Sequence, residues 1–285
     1  MLSFFVAMLE TLNLPKDWQG NLWHYRFQDW RHTYHHHVEL EFNLVTRGSG
    51  VYLLDNEKCQ MRRGDLIWLY PTQNHVLVQE SVDFEMWIGV FRPQALGEIA
   101  TDANHEPLRR DRASGEVCRR LTLKQVQYLC TLLENTAATK DRAALFNAGL
   151  GYAFLTAWQY FENASAIPIE DVHPAVEKAA QLLQRDSDST NLAQLTRQTG
   201  LSPARLSRLF KQQTGVTIVD FRNRQRLAKF LRLYGNGQRH TMLEAALAAG
   251  FGSYPQFHRV FKKNLGCSPR STSWQQQTPP AQAHA

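Results

Sequence analysis

The chain contains no run of about 18 apolar residues, so no stretch of it is long enough to cross a bilayer as a helix. Its apolar start, MLSFFVAMLETL, is short, lacks a basic flank and carries Glu10 where a small-residue cleavage site would follow. It reads as a short amphipathic segment or an over-long start, with a secretory signal as the lesser reading. Cysteine is scarce: Cys59, Cys118, Cys130 and Cys267 form no CxxC pair and no metal-ligand spacing. That argues against a zinc ribbon or a disulfide framework and suits a reducing cytoplasm. Neither a Ser-His-Asp spacing nor a phosphate-cradling glycine loop is present, so the common catalytic readings find no support. Acidic residues are few in the second half. Residues 166–285 hold 16 Lys and Arg against 7 Asp and Glu, a net charge of +9, whereas residues 1–165 hold 16 against 19, a net −3. A near-neutral half followed by a basic half is the charge footprint of a nucleic-acid module joined to something else.

What is present divides the chain the same way, and 285 residues suffice for two domains with real cores. Between residues 15 and 92 the runs VELEFNLV, GVYLLD, GDLIWLY, VLVQ and VDFEMWIGVF alternate or cluster as strands do. RGSG, DNEK, RRGD and PTQN punctuate them at hairpin spacing, the pattern of an all-β barrel or sandwich. Residues 104–118 read as a loop. Two helical patterns follow at about 120–162, LTLKQVQYLCTLLENTAA and RAALFNAGLGYAFLTAWQYFE. The second is apolar on more than one side and needs cover, from the barrel or from a second copy of the chain. Residues 163–174, with two prolines, read as a linker, 175–272 as a helical domain, and 273–285 as a disordered tail. The predicted fold class is therefore two-domain α+β.

The helical half contains a duplication. TGLSPARLSRLFKQQTG (199–215) aligns with AGFGSYPQFHRVFKKNLG (249–266) once one residue is inserted after Phe251. Gly200 then matches Gly250, Ser202 matches Ser253, Arg208 matches Arg259, Phe210 matches Phe261, Lys211 matches Lys262 and Gly215 matches Gly266. Each copy predicts helix, tight turn, helix. Gly200 ends the first helix, Ser202 caps the next, and Pro203 occupies its first position. In the second copy Ser253 caps, and Gln256 is placed to complete a capping box. Leu206, Leu209 and Phe210 face in, leaving Ala204, Arg205, Ser207, Arg208 and Lys211 outward. Phe257, Val260 and Phe261 face in, leaving Tyr254, Pro255, His258, Arg259 and Lys262 outward. A helix bearing donors and cations on one face fits a DNA major groove. The connector TIVDFRNRQRLAKFLRLYGNG (217–237) would set the spacing between two such helices.

On these stretches the chain resembles the AraC/XylS-type transcription regulators over nearly its whole length. LSRLFKQQTG, GFGSYPQFHRVFKKNLGCSP and VDFRNRQRLAKFL carry the resemblance. It departs from the family at Thr196, where alanine is usual, at Pro255, and after Pro269, where RSTSW replaces the usual ending. The resemblance implies base-reading positions at Ala204, Ser207 and Arg208 in the first unit and at Tyr254, Pro255, His258 and Arg259 in the second. It also implies a cupin-like sensor domain at 1–162 with an effector pocket, a homodimer formed through the helices after the barrel, and contact with RNA polymerase.

HHHVELE (35–41) is the polar cluster within the strand-rich half. As one extended strand it would put His35, His37, Glu39 and Glu41 on one face and His36, Val38 and Leu40 on the other. His35, His37, Glu41 and His75, with Trp23 as a stacking surface, are the candidate effector-binding residues, for a sugar or small organic acid. Five tryptophans lie in the first ninety residues, Trp18, Trp23, Trp30, Trp68 and Trp87, and core filling accounts for most of them. No cofactor is required by this reading. The alternative is a divalent metal at His35, His37, Glu41 and His75, in a metal-dependent enzyme or metal sensor fused to a DNA-binding domain. The expectation is a cytoplasmic, non-enzymatic regulator, an activator by preference, that binds promoter half-sites in double-stranded DNA, contacts no membrane and responds to a small molecule.

Overall fold

A computed structural model describes residues 8–27, 35–55, 57–185, 190–235 and 241–271. The first seven residues of the apolar start, Trp30 and the expected tail at 273–285 lie outside the described residues. The chain forms two compact units that meet in sequence at Asp171 and Val172.

The first unit is built from strands whose alternation assigns them two chemically different faces. One six-stranded sheet contains β1 (Met8–Leu9), β3 (His35–His36), β5 (Ser49–Leu54), β6 (Glu57–Arg62), β8 (His75–Glu80) and β12 (Glu170–Asp171), in the order β1-β3-β8-β5-β6-β12. The other contains β2 (Gly20–Arg26), β4 (Leu40–Arg47), β7 (Asp65–Leu69), β9 (Glu85–Phe91), β10 (Cys118–Arg120) and β11 (Ser165–Ala166), in the order β11-β10-β7-β4-β9-β2. Every pairing is antiparallel except β1 with β3. The expected barrel is thus two facing sheets: among the described residues no ladder closes them into one ring. The expected linker also differs. Residues 165–166 and 170–171 pair with β10 and β6, so most of 163–174 is stitched to the sheets. The expected loop at 104–118 begins in a 3-10 helix, Ala103–Arg109, preceded by a helix the sequence did not announce, α1 (Pro93–Ile99).

Two long helices follow, α2 (Leu123–Ala137) and α3 (Ala143–Glu162). Thr122 starts α2 with a full capping box to Gln125. The outer face of the second sheet is apolar: Phe42, Trp68 and Phe91 all point at α3. Phe154 meets them with ring centroids 5.7, 4.8 and 4.7 Å away, and Trp158 lies 5.5 Å from Trp68. Gly89 is required under this layer, because a Cβ there would come within 2.5 Å of the Phe42 ring. The helix pair therefore covers the sheet, while Leu123, Tyr128, Leu145 and Tyr152 remain exposed on it.

The second unit is entirely helical among the described residues: α4 (Pro174–Arg185), α5 (Leu192–Thr199), α6 (Pro203–Thr214), α7 (Ile218–Gly235), α8 (Met242–Ala248) and α9 (Tyr254–Leu265). Phe210 packs on Phe221 of α7 at 5.5 Å, and Phe257 packs on Phe230 of the same helix at 4.4 Å. One connector thus supplies core to both copies of the repeat.

Phe154→Ala removes the side chain on which three rings of the second sheet converge. It should cost about 3–5 kcal/mol, read as a lowered urea midpoint for the first unit in equilibrium melts of the full chain.

Candidate DNA interface and ligand site

Interior to the first unit, the polar residues of HHHVELE are brought together, though not along one strand. β3 stops at His36, the chain bends at Val38 and Glu39, and β4 begins at Leu40 in the other sheet. His37 therefore reaches Glu41 across the gap between sheets, and the His35 ring lies beside His37 with centroids 5.8 Å apart. The residues expected to share the opposite face separate: His36 bonds Asn74 (3.1 Å), Val38 is exposed, and Leu40 is fully buried. His75 on β8 pairs in register with His35 and completes the group. One nitrogen from each of His35, His37 and His75 lies within 4.8 Å of the other two.

Hydrogen bonds and burial set the state of the His37 and His75 rings. His37 is 2% exposed, with Nδ1 donating to the Glu39 carbonyl (3.0 Å) and Nε2 facing Glu41 Oε2 at 2.9 Å. Both nitrogens face oxygen acceptors, so the ring is satisfied as an imidazolium. Burial alone would lower its pKa. The hydrogen bond and charge of Glu41, followed by Glu39 and Glu10, outweigh burial and raise it. Burial likewise pushes Glu41 up, but the hydrogen bond and charge of His37, with help from Asn43, bring it down to about 2. His75 Nδ1 donates to the Gln73 carbonyl (2.9 Å), and its Nε2 has no hydrogen-bond partner among the described residues. Burial and the neighbouring His35 lower it to about 3, so it is a neutral imidazole with a lone pair turned inward.

Two participants were missed by sequence reasoning. Asn43 Nδ2 donates to Glu41 Oε1 (2.7 Å) and to the Tyr52 hydroxyl (3.1 Å), spanning the sheets. Two-residue alternation from Glu41 would have placed Asn43 on the same face; nothing local pointed to Tyr52. Trp23 is half-buried on β2, in register with Ile88, which pairs with Asn43. It shares the interior face but stands two strands from Glu41, at the edge of the group. A separate open cavity of about 260 Å³, lined by Tyr70, Arg119, Trp158 and Phe161 among others, lies on the helix-covered side of the sheet. Arg119 donates there to the Glu162 carbonyl at the end of α3, which gives this hollow a structural role. The titratable cluster, rather than this hollow, is the chemically specific site.

In the second unit the duplicated sequence forms a duplicated structure. Gly200 and Gly250 both hold positive φ (70° and 91°), as do Gly215 and Gly266 (76° and 71°), a region closed to most side chains. Ser202 accepts from the Arg205 amide and Ser253 from the Gln256 amide. The capping box expected in the second copy is half made. The Gln256 side chain accepts from Gly252 instead of Ser253 (2.9 Å), because the inserted residue offers its N–H first. On α6, Ala204, Arg205, Ser207, Arg208 and Lys211 are all exposed, above buried Leu206 and Phe210. On α9, Pro255, Arg259 and Lys262 are exposed and His258 is half-buried. Tyr254 departs from the outward expectation. It is half-buried, with its hydroxyl on Met242 Sδ (3.6 Å) and its ring 5.7 Å from Phe257. Each recognition helix thus presents an arginine and a lysine one turn apart on a rigid, capped scaffold.

Two family descriptions match the chain: an AraC-like ligand binding domain over residues 22–155 and a helix-turn-helix domain over residues 195–274. The arabinose operon regulatory protein of Escherichia coli is 33% identical over 248 residues, covering 80% of this chain and 77% of the relative. Its Salmonella typhimurium counterpart is 32% identical, with 80% of each chain covered. The transcriptional activator RhaR of Mannheimia succiniciproducens is 22% identical, with 82% and 84% covered. A crystal structure of ToxT from Vibrio cholerae overlaps 90% of this chain and 96% of its own at 15% identity, with a TM-score of 0.37, too loose a match to argue from.

The cluster's protonation has a measurable consequence in chelator-treated protein. Unfolded, His75 takes up a proton near 6.5, whereas folded it resists until about 3. The unfolded chain binds the proton first, so stability falls as pH drops from 6.5 toward 3. Glu41, ordinarily 4.5 but about 2 when folded, adds a further loss below 4.5. His37, raised, contributes in the opposite sense, fully below 6.5 and less as pH climbs past its folded value. Urea melts across this range should show the decline, and His75→Gln should flatten its upper limb while leaving the limb below 4.5.

Proposed function

The chain belongs to the AraC-type transcription regulators, and from that membership we propose that it is a sequence-specific activator switched by a small molecule bound between its two amino-terminal sheets. The observation that carries this reading is the pair of capped recognition helices with exposed cations over buried aromatic cores. Ala204, Ser207 and Arg208 on α6, and Tyr254, Pro255, His258 and Arg259 on α9, are assigned to base edges. Arg205, Lys211 and Lys262 are assigned to phosphates, which set register without reading sequence. Arginine suits the base role because its planar fork matches the O6 and N7 acceptors of guanine.

The effector is a sugar or small organic acid. The imidazoles of His35, His37 and His75 and the carboxylate of Glu41 supply donors and acceptors to hydroxyls or an acid group, and Trp23 offers a flat apolar face at the rim. Two relatives are named for an arabinose operon, which favours the sugar. The exposed Leu123, Tyr128, Leu145 and Tyr152 on α2 and α3 would be covered in a homodimer, which would place two reading units on paired half-sites. Contact with RNA polymerase and a cytoplasmic location follow from the family's mode of action. No described helix is long and apolar enough to cross a membrane. For the effector to switch the protein it must bind two arrangements of the chain with different affinity.

Footprinting and competition binding test the assignment. Arg208→Ala or Arg259→Ala should cost about 1–3 kcal/mol at the cognate site and relax preference at one base position. Lys211→Ala should weaken binding to all sequences alike and lower the salt slope. An Arg208→Ala loss that is uniform across sequences would place that residue on phosphate instead.

A further inference from the structure

We propose that the amino-terminal unit holds a divalent first-row transition-metal ion between the imidazoles of His35, His37 and His75, with the Glu41 carboxylate as a fourth donor. This deepens the ligand-site reading above and is independent of the DNA-reading half.

Three imidazoles are packed with ring centroids 4.4, 5.4 and 5.8 Å apart, and their facing nitrogens lie within 4.8 Å of one another. Of the three, His75 turns a buried lone pair inward, and burying such an atom is costly unless something satisfies it. Two of the three rings are held as metal-bound histidines are held. His75 and His37 each give Nδ1–H to a backbone carbonyl, of Gln73 and Glu39, which fixes the tautomer and directs Nε2 inward. His75 Nε2 is buried and without a hydrogen-bond partner among the described residues, as a ligand atom would be. His37 Nε2 faces Glu41 Oε2 at 2.9 Å, where a cation can replace the shared proton and bind both atoms. Binding then releases one proton from His37, since the ligand is the neutral ring. His35 is the least buried of the three, with Glu10 Oε2 3.1 Å from its Nε2, and forms the entry side.

The donor set selects the ion. Imidazole with one carboxylate suits zinc, cobalt, nickel or ferrous iron and is a poor match for magnesium or calcium, which favour oxygen ligands. Metal–nitrogen bonds of about 2.1 Å bring cis nitrogens to roughly 3 Å apart, so binding draws the rings inward. The Asn43 bond to Glu41 Oε1 leaves Oε2 as the ligating oxygen. Three imidazoles and one carboxylate close a tetrahedral site; an ion that takes five or six ligands, such as ferrous iron, cobalt or nickel, would keep a position at which a hydroxyl or carboxylate effector is anchored.

The test uses the full chain, stripped with chelator and titrated with cobalt(II). The expected result is visible d–d absorption saturating at one ion per chain, displaced by zinc and unaffected by millimolar magnesium. His75→Ala and His37→Ala should each weaken binding by at least ~100-fold. His36→Ala, whose ring bonds Asn74 outside the cluster, should bind as the parent does. Should circular dichroism show His37→Ala unfolded, His75→Gln carries the comparison. A folded parent that gives no cobalt bands, or equal affinity in the His75 and His36 variants, overturns the proposal. Cobalt binding intact with no sequence-specific DNA binding would sink the regulator reading and leave this one standing.

Discussion

A carboxylate buried between two sheets organises the interior of the ligand-binding unit. Glu41 is 7% exposed and ionised, and such a charge persists in a protein interior only where opposite charge and hydrogen bonds surround it. His37 supplies the charge from one sheet's side, and Asn43 supplies a donor that is itself tied to Tyr52 across the gap. The bend at Val38 and Glu39 and the change of sheet between β3 and β4 bring His37 to this one negative group. Apolar side chains pack on both faces of the second sheet, and on its far face the aromatic layer of Phe42, Trp68 and Phe91 meets α3. By alternation alone β4 turns Glu41 and Asn43 to one side and Phe42 and Leu44 to the other.

The sequence disclosed the second unit more fully than the first, for a physical reason. Helix ends are set by local chemistry, such as glycine in the left-handed region or serine accepting an amide, and local chemistry is written in consecutive residues. Gly200, Ser202 and Ser253 occupy the roles their neighbours implied, and Gly215 and Gly266, matched in the repeat, both end their helices in the left-handed region. Where a competing donor one residue away intervened, at Gly252, the expectation for Gln256 failed. Strand partners, by contrast, are chosen by distant residues. Alternation in HHHVELE suggested one strand, but a break after His36 divides it between two sheets. His37 still meets Glu41 because the chain crosses the gap, a fact no window of seven residues contains. The short pairings at 165–166 and 170–171 were hidden for the same reason, within a stretch whose prolines read as linker.

The two recognition helices are homologous but not alike. α6 offers alanine, serine and arginine at the outward positions of its first two turns, whereas α9 offers proline, histidine and arginine with a tyrosine half withdrawn into the core. The shared arginine and lysine put the same charges on each copy, and the differing neighbours give each its own outward face. Both copies draw core from α7, through Phe221 for one and Phe230 for the other, and Lys263 of α9 is tied to Asp220 at the start of α7 (2.7 Å).

That inequality has a consequence for the promoter. A duplex read by two identical helices can be approached from either end with the same energy. A duplex read by one chain bearing two different helices on a common spine cannot, because reversing the chain exchanges the two words. A chain that reads DNA with these two helices would therefore sit on its site with a defined heading, upstream or downstream. The orientation of the binding site, and not only its position, becomes part of the message the DNA carries.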